Sequence, residues 1–404
     1  AAPATPGWRA VPEAPATSLA QAAALIIEAQ RPVILAGHGI VRAGATELLE
    51  ALAARADLPV ASTLLGLGGF PGTDPRSLGM MGMHGEAWVN AAIQEADLLI
   101  ALGMRFDDRV TGNLSTYARG AKKIHVEIDP AEVDKNVRVD VALIGDVREV
   151  LERMVPRVAP KEHAAWNARL ASMRAESAPR DIQSLPDDGR FYAAHVVHDL
   201  YRLTGGRALI VTDVGQHQMW EAQYYKHDHP RRLVTSGGLG TMGFALPAAI
   251  GARFALMREP ARAGTLDDEI WVIAGDGGFQ MTAAELSTCV QEGVKVNVAI
   301  VNNGYLGMVR QWQEFFYDRR YVSTPIVSPD FVKLAEAHGL SGMRVERRAD
   351  IERAVEAARA CPGTFVVELR VEAEDAVYPM VPSGADLGDM IRRPLPAGNG
   401  GAGR

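Results

Sequence analysis

The chain has 404 residues, 48% of them hydrophobic and 23% charged, with a formal net charge of −7. That composition belongs to a soluble globular protein large enough for two domains, at roughly 100–200 residues each. The negative balance argues against a nucleic-acid or anionic-membrane partner, and no apolar run approaches the roughly 20 residues that cross a bilayer.

The opening stretch "AAPATPGWRAVPEAPATSL" has no initiator Met and no apolar core. It reads as a linker over residues 1–17, not as a signal peptide. From there helix and strand alternate. Helical periodicity over 18–30 precedes the apolar strand "RPVILAG". Helix 45–56 precedes "LPVAST", and helix 86–96 precedes the strands "DLLIALG" and "KKIHVEID". Strands that are apolar throughout and separated by helices indicate a parallel sheet covered on both faces. This first α/β domain spans 18–150. Residues 151–190 are charged and Pro-punctuated, and read as an interdomain connector.

A second open, doubly wound α/β domain spans 191–375. Its expected strands are "RALIVTDVG", "EIWVIAG", "VKVNVAIVNN" and "GTFVVELRV". Its expected helices are 192–204, 216–225, 243–257, 282–293, 330–339 and 350–361. Residues 376–404 form a C-terminal segment, with a tail from Pro394 that is expected to be disordered. The two cysteines, Cys289 and Cys361, fit no CxxC or metal spacing. Reduced thiols and a cytoplasmic setting follow.

Two strand ends in the second domain stand out: Gly275-Asp276-Gly277-Gly278 and Asn302-Asn303-Gly304, with Asp276 and Asn303 27 positions apart. One helix plus one strand fills that gap, so consecutive parallel strands bring a carboxylate and a carboxamide to one sheet edge, where such folds bind ligands. An all-oxygen set suits Mg²⁺, completed by waters and phosphates. The glycines Gly277 and Gly278 let the backbone approach a diphosphate. In "DVGQHQMW", Gln216 and His217 can donate to a phosphate. Taken singly, Asp276 also reads as a helix cap, Asn303 as a turn residue, Met242 as core and His217 as an ordinary loop histidine.

GDG followed about two dozen residues later by NN resembles the signature of thiamine-diphosphate enzymes. "TSGGLGTMGFALPAAIG" and "NNGYLGMVRQWQEFFYDRRY" narrow the resemblance to the large catalytic subunit of acetohydroxyacid (acetolactate) synthase, from Ser18 to about Ile391. "MGMHGEAWVN" and "GMRFDDRVTG" are similar to the FAD-binding domain of its biosynthetic type; catabolic members lack RFDDRVTG. The resemblance implies that Val214, Gly215, Gln216, His217, Gly240, Met242, Gly277 and Gly278 hold thiamine diphosphate, with Met242 wedging it into a bent form. It implies Mg²⁺ on Asp276, Asn303 and the Tyr305 carbonyl. The implied flavin contacts are Gly39, Thr63, Leu64, Leu65, Gly66, Met81, Gly82, Met83, His84, Gly103, Met104, Arg105, Phe106, Asp107, Glu127, Ile128, Asp146 and Val147. Met219, Gly237 and Gly238 complete them from the second domain. His38 departs from the family, where many relatives have a smaller residue.

The implied reaction decarboxylates pyruvate and joins the two-carbon unit to pyruvate or 2-ketobutyrate, giving 2-acetolactate or 2-aceto-2-hydroxybutyrate for branched-chain amino acids. Arg109 holds the second keto acid's carboxylate, Trp312 selects it, and Met308 and Val309 neighbour it. Ser383 and Gly384 lie near the access channel. The flavin is structural, because there is no net redox change. The family also implies a homodimer or homotetramer and a small regulatory subunit. Its members carry an N-terminal domain whose glutamate activates the cofactor. This chain shows only the second and third domains, so an upstream domain of about 170 residues is expected, and the chain alone is expected to be inactive. Glu285 reads as structural. Another thiamine-diphosphate carboligase, such as glyoxylate carboligase, stays open, as does a non-catalytic cofactor-binding chain. A Rossmann dehydrogenase is disfavoured, since no GxGxxG follows either first strand.

Overall fold

The computed structural model describes residues 12–258 and 268–395. The expected tail from 396 onward and most of the expected N-terminal linker lie outside the described residues. The chain divides into two compact units.

The first unit comprises residues up to Ser177 together with Pro379–Ile391. Its strands are β1 (Pro32–Ala36), β2 (Val60–Ser62), β3 (Ser77–Met80), β4 (Leu98–Leu102), β5 (Lys122–Glu127) and β6 (Val141–Ile144). They form a wholly parallel sheet in the order β3-β2-β1-β4-β5-β6. Around it lie α1 (Ala16–Glu28), α2 (His38–Ala43), α3 (Thr46–Arg55), α4 (Ala87–Glu95), α5 (Asp108–Thr111), α6 (Val147–Met154) and α7 (Ala164–Ser177). The strands read as unbroken apolar runs because both faces are covered. Along β1, Ile34 and Ala36 enter one core with α1 and α3, while Val33 and Leu35 enter the opposite core with α4 and α7. The chain continues in this unit through α7, where Trp166 Nε1 donates to the Pro32 carbonyl at 3.0 Å. Val381 and Leu387 of the C-terminal segment enter the same core. The stretch expected as a connector is therefore divided between the units, and half of the expected C-terminal segment belongs to the first.

The second unit spans Ala178–Tyr378 and resumes at Arg392. Its strands are β7 (Leu209–Thr212), β8 (Leu233–Thr235), β9 (Ile270–Gly275), β10 (Asn297–Asn302), β11 (Ser341–Val345) and β12 (Phe365–Arg370). They too are all parallel, in the order β11-β12-β10-β9-β7-β8. Its helices are α8 (Ala193–Thr204), α9 (Gln216–Tyr224), α10 (Ala245–Leu256), α11 (Asp276–Thr282), α12 (Leu286–Gln291), α13 (Gly307–Phe316), α14 (Phe331–Ala337) and α15 (Ile351–Ala360). Again the strand residues alternate between two cores, Trp271 and Ile273 on one face and Val272 and Ala274 on the other. The expected single helix over 282–293 is instead α11, a 3-10 turn at Ala283–Glu285 and α12. α11 starts six residues earlier, on Asp276 itself. Among the described residues no helix is long and apolar enough to cross a membrane.

Candidate cofactor site

β9 and β10 lie side by side in register, with Gly275 opposite Val301. The residues that follow therefore emerge together at the carboxyl edge. Gly275 caps α11, so Asp276 is the first helical residue and does not act as the cap. Its carboxylate is turned across to the neighbouring strand end. Oδ2 accepts from Gly304 N at 3.1 Å and from Ser328 Oγ at 2.9 Å. Asp276 is 1% exposed, and burial pushes its carboxyl up to about 6 despite these bonds. Among the described residues no basic side chain pairs with it. A buried carboxylate met only by neutral donors fits a cation, which would restore its charge. Among the described residues no three His, Cys, Asp or Glu side chains gather to hold a metal. A cation here would depend on Asn303, a carbonyl and oxygens from its ligand, which is the manner of Mg²⁺.

Asn303 is locked in place. Its Nδ2 donates to Gln216 Oε1 at 3.2 Å, and its Oδ1 accepts from Tyr305 N at 3.1 Å, keeping a second lone pair. Gln216 Nε2 turns away from the cleft toward Gln311 Oε1 (2.9 Å) and the Asp375 carbonyl (3.1 Å). The expected phosphate donor thus spends its Nε2 on Gln311 and Asp375, while its Oε1 holds Asn303. Asn302 belongs to the support as well: Nδ2 donates to the buried Glu368 at 2.9 Å, and Oδ1 accepts from Gly304 N at 3.2 Å. The two consecutive asparagines divide the labour, one fixing the turn and one facing the cleft.

Asp276 and Asn303 face an open cleft, about 460 Å³ with the space it shares with solvent counted. On one wall are Val214, Gly215, Gln216 and His217, and on another Asp276, Gly277 and Gly278. Of the other expected residues, Met242, Asn303, Tyr305, Met308 and Val309 also line it, joined by Trp220, Leu306 and Gly307, which the sequence did not single out. Gly277 opens on apolar atoms; a Cβ there would lie 2.8 Å from Leu306 Cδ2 and 3.8 Å from Met242 Cε. Gly278 serves a different purpose. A Cβ on it would sit 2.3 Å from Asp213 Oδ1, so the glycine makes room for a buried carboxylate and not for a ligand. The His217 ring lies behind Gly215 and Gly275; burial lowers it to about 4, so it is neutral, and its Nε2 has no hydrogen-bond partner among the described residues. Gly237, Gly238, Gly240, Met219 and Trp312 are not in the lining. Met219 packs on the core, and Trp312, one helical turn beyond Met308, packs on Phe316 with the rings tilted and their centroids 5.1 Å apart. Glu285 accepts from Thr288 Oγ at 2.7 Å at the start of α12.

The expected flavin residues of the first unit cluster at the carboxyl ends of its strands. Gly39 N donates to Gly103 O at 2.9 Å, and His38 Nδ1 lies 3.0 Å from the Leu65 carbonyl. Thr63 caps the turn Leu64–Gly66. Gly82 is held at both its N–H and C=O by Asn90, and Met83 N donates to Arg109 O at 2.8 Å. Met81, Met104 and Phe106 are core, Phe106 meeting Tyr117 edge to face. Burial lowers His84 to about 4. Glu127 accepts from the amides of Ile128 and Asp129, and Asp146 caps α6 ahead of the buried Val147. Arg105 and Asp107 pair at 3.5 Å, and Arg109 reaches Asp108 at 2.8 Å with 61% of its side chain exposed.

Residues 19–154 match the thiamine pyrophosphate enzyme central domain, and residues 213–369 match the thiamine pyrophosphate enzyme C-terminal, cofactor-binding domain. (Thiamine pyrophosphate and thiamine diphosphate are one compound.) The chain is 45% identical over 393 residues to an acetolactate synthase of Mycobacterium bovis. It is 42% identical over 396 residues to an acetolactate synthase large subunit of Corynebacterium glutamicum, and 40% identical over 388 to the mitochondrial acetolactate synthase catalytic subunit of Saccharomyces cerevisiae. These alignments cover 93–95% of this chain but only 55–62% of the relatives' lengths. The chain belongs to the thiamine pyrophosphate enzymes, as a homologue of the acetolactate synthase large subunits, and its two units are that family's central and C-terminal domains.

Proposed function

We propose that this chain is the cofactor-bearing part of an acetolactate synthase catalytic subunit of the FAD-containing, biosynthetic type. The observation that carries the proposal is the buried Asp276 carboxylate set beside Asn303 on adjacent strand ends, with Met242 lining the same cleft. Asp276, Asn303 and the Tyr305 carbonyl would hold Mg²⁺ and through it a diphosphate. Gln216 and His217, at the start of α9, would lie against that diphosphate, and Met242 with Leu306 would give the cofactor's rings an apolar wall. When bound, thiamine diphosphate supplies the electron sink for decarboxylating a 2-keto acid.

The chain's own residues would bind, orient and exclude water. Met308 and Val309 would line the reacting end of the cleft, with Trp312 one turn further along α13 selecting pyruvate or 2-ketobutyrate as acceptor. The forked, exposed guanidinium of Arg109 suits the acceptor's carboxylate. FAD would lie at the strand ends of the first unit, near Gly39, the Thr63–Gly66 turn, the Gly103–Asp107 segment and Glu127. The relatives named as large subunits support a small regulatory partner. We further propose a homodimer or homotetramer working in the cytoplasm on 2-keto acids.

The test is product analysis. The full-length protein, given pyruvate, 2-ketobutyrate, Mg²⁺ and thiamine diphosphate, should form 2-acetolactate and 2-aceto-2-hydroxybutyrate and should copurify with flavin. Formation of neither acid sinks the reading, and ligation of glyoxylate alone would move it to another carboligase.

A further inference from the structure

Met242 sits on the loop joining β8 to α10. Residues 237–241 of that loop are exposed, Leu239 to 95%. The next residue after Met242 is nevertheless held at both polar groups of its backbone. Asp213, the first residue beyond β7 and 1% exposed, takes Gly243 N on Oδ1 at 3.0 Å and Ala245 N on Oδ2 at 3.1 Å. Its Oδ1 also accepts from Val214 N at 2.8 Å. From the other side, Thr282 Oγ donates to the Gly243 carbonyl at 3.0 Å. Thr282 is the last residue of α11, the helix that begins at Asp276. Gly278, on the same helix, packs directly against the Asp213 carboxylate. Asp213 is absent from the cleft lining, whereas Met242 is in it.

Ionised acceptors bind backbone amides about twice as strongly as neutral ones. A buried carboxylate facing three amides is therefore a rigid clamp, and here it ties the Met242 loop to β7 while Thr282 ties it to the helix carrying Asp276. We propose that Asp213 is a positioning residue. Together with Thr282 it fixes Gly243, so that Met242 stands at a set distance from the Asp276–Gly277 edge and governs how tightly the ring portion of the cofactor is held, without acting on the diphosphate. This rests on the reading of the cleft as a thiamine-diphosphate site.

The two halves of that ligand separate the possibilities. In the intact protein, calorimetry gives the Kd of thiamine diphosphate and of inorganic pyrophosphate, each with Mg²⁺, and hydrogen exchange of residues 237–245 is followed without ligand. Asp213→Asn should weaken thiamine diphosphate by roughly ten- to a hundredfold, the scale of lost bonds to a charged group. Pyrophosphate should stay within about twofold, because it has no rings for Met242 to meet. Exchange across 237–245 should quicken. Thr282→Val should give the same pattern at about three- to tenfold. In a Met242→Ala background, Asp213→Asn should add less than about twofold, because both changes remove one effect.

Parallel loss of both ligands, or full additivity with Met242→Ala, overturns the proposal. Should Asp213→Asn not fold, Thr282→Val decides alone: unchanged thiamine-diphosphate affinity and unchanged exchange refute the clamp. If the unmodified protein binds neither ligand, the cofactor reading falls, while the exchange measurement still decides whether Asp213 orders the loop.

Discussion

In both parallel sheets the strand order reverses at a switch point, between β1 and β4 in the first unit and between β7 and β9 in the second. Open α/β sheets bind ligands at such points, and in both units the loops there are rich in glycine. The glycines do different things. In the first unit backbone closes on backbone: a Cβ on Gly39 would lie 2.6 Å from Gly103 Cα. In the second unit the space is filled by side chains. Gly215 and Gly275 each leave room for the His217 ring at 3.0 Å, and Gly278 leaves room for Asp213. Of the glycines in GDGG, Gly277 is the one that opens on Leu306 and Met242 of the cleft. A glycine-rich strand end marks space; what occupies it is decided by the neighbouring loop.

The largest test of this contrast is Asp276→Ala. Losing an outer-shell partner of a metal costs about 10–100-fold in affinity, so losing a direct ligand should cost more than roughly a hundredfold. Calorimetry of Mg²⁺-dependent thiamine-diphosphate binding measures it. Retained binding would mean that the second unit's edge does not hold the metal. Gly103→Ala probes the other edge. Gly103 has φ +59°, and its Cβ would lie 2.7 Å from Gly39 Cα. Left-handed strain and overpacking together should remove about 2–4 kcal/mol of stability in urea titration. A loss below about 1 kcal/mol would show that the two loops part easily, leaving room for a ligand between them.

The acid side of the stability profile gives a smaller effect. His84 is driven down to about 4, first by burial and then by the Arg109 charge, against an ordinary 6.5. Above 6.5 neither the folded nor the unfolded state is protonated. Between 6.5 and 4 the unfolded chain takes up a proton that the folded chain refuses, so stability falls as pH falls. The full effect is about 3 kcal/mol, reached near pH 4. His84→Gln should flatten this part of the profile whatever it does to stability at neutral pH. An unaltered slope would mean that His84 is protonated in place.

What could be read in the sequence was whatever periodicity or spacing encodes. The parallel sheets follow from apolar runs such as Trp271–Ala274, and the Asp276–Asn303 pairing follows from one helix and one strand fitting between them. Short strands escaped: β8 and β11 are three and five residues long and only partly buried, so they lack the apolar run that marked their neighbours. α13 was obscured by its aromatics, which read as a motif before they read as a helix. Asp213 was hidden because an Asp before Val-Gly looks like a turn; its partners Gly243 and Ala245 are 30 and 32 positions away. Gln216 looked like a phosphate donor because nothing local reveals that Gln311 and Asp375 claim its amide.

Ser328 is the clearest case of a residue with no local signal, and its removal should give the mildest effect. It lies between Val327, 95% exposed, and Pro329, in a stretch with no helical or strand periodicity. Only the fold brings its hydroxyl to Asp276 Oδ2 at 2.9 Å. With a cation on the carboxylate, this bond would fix the orientation of Asp276 and leave its charge unchanged. Ser328→Ala removes one donor and keeps Gly304 N in place, so Mg²⁺-dependent cofactor affinity should drop only about tenfold, the worth of one hydrogen bond to a charged group at its lower end. Ser328→Thr, which keeps the hydroxyl, should restore most of it. A loss as large as that of Asp276→Ala would place Ser328 itself among the metal's ligands, and no loss at all would leave Gly304 N alone sufficient to aim the carboxylate.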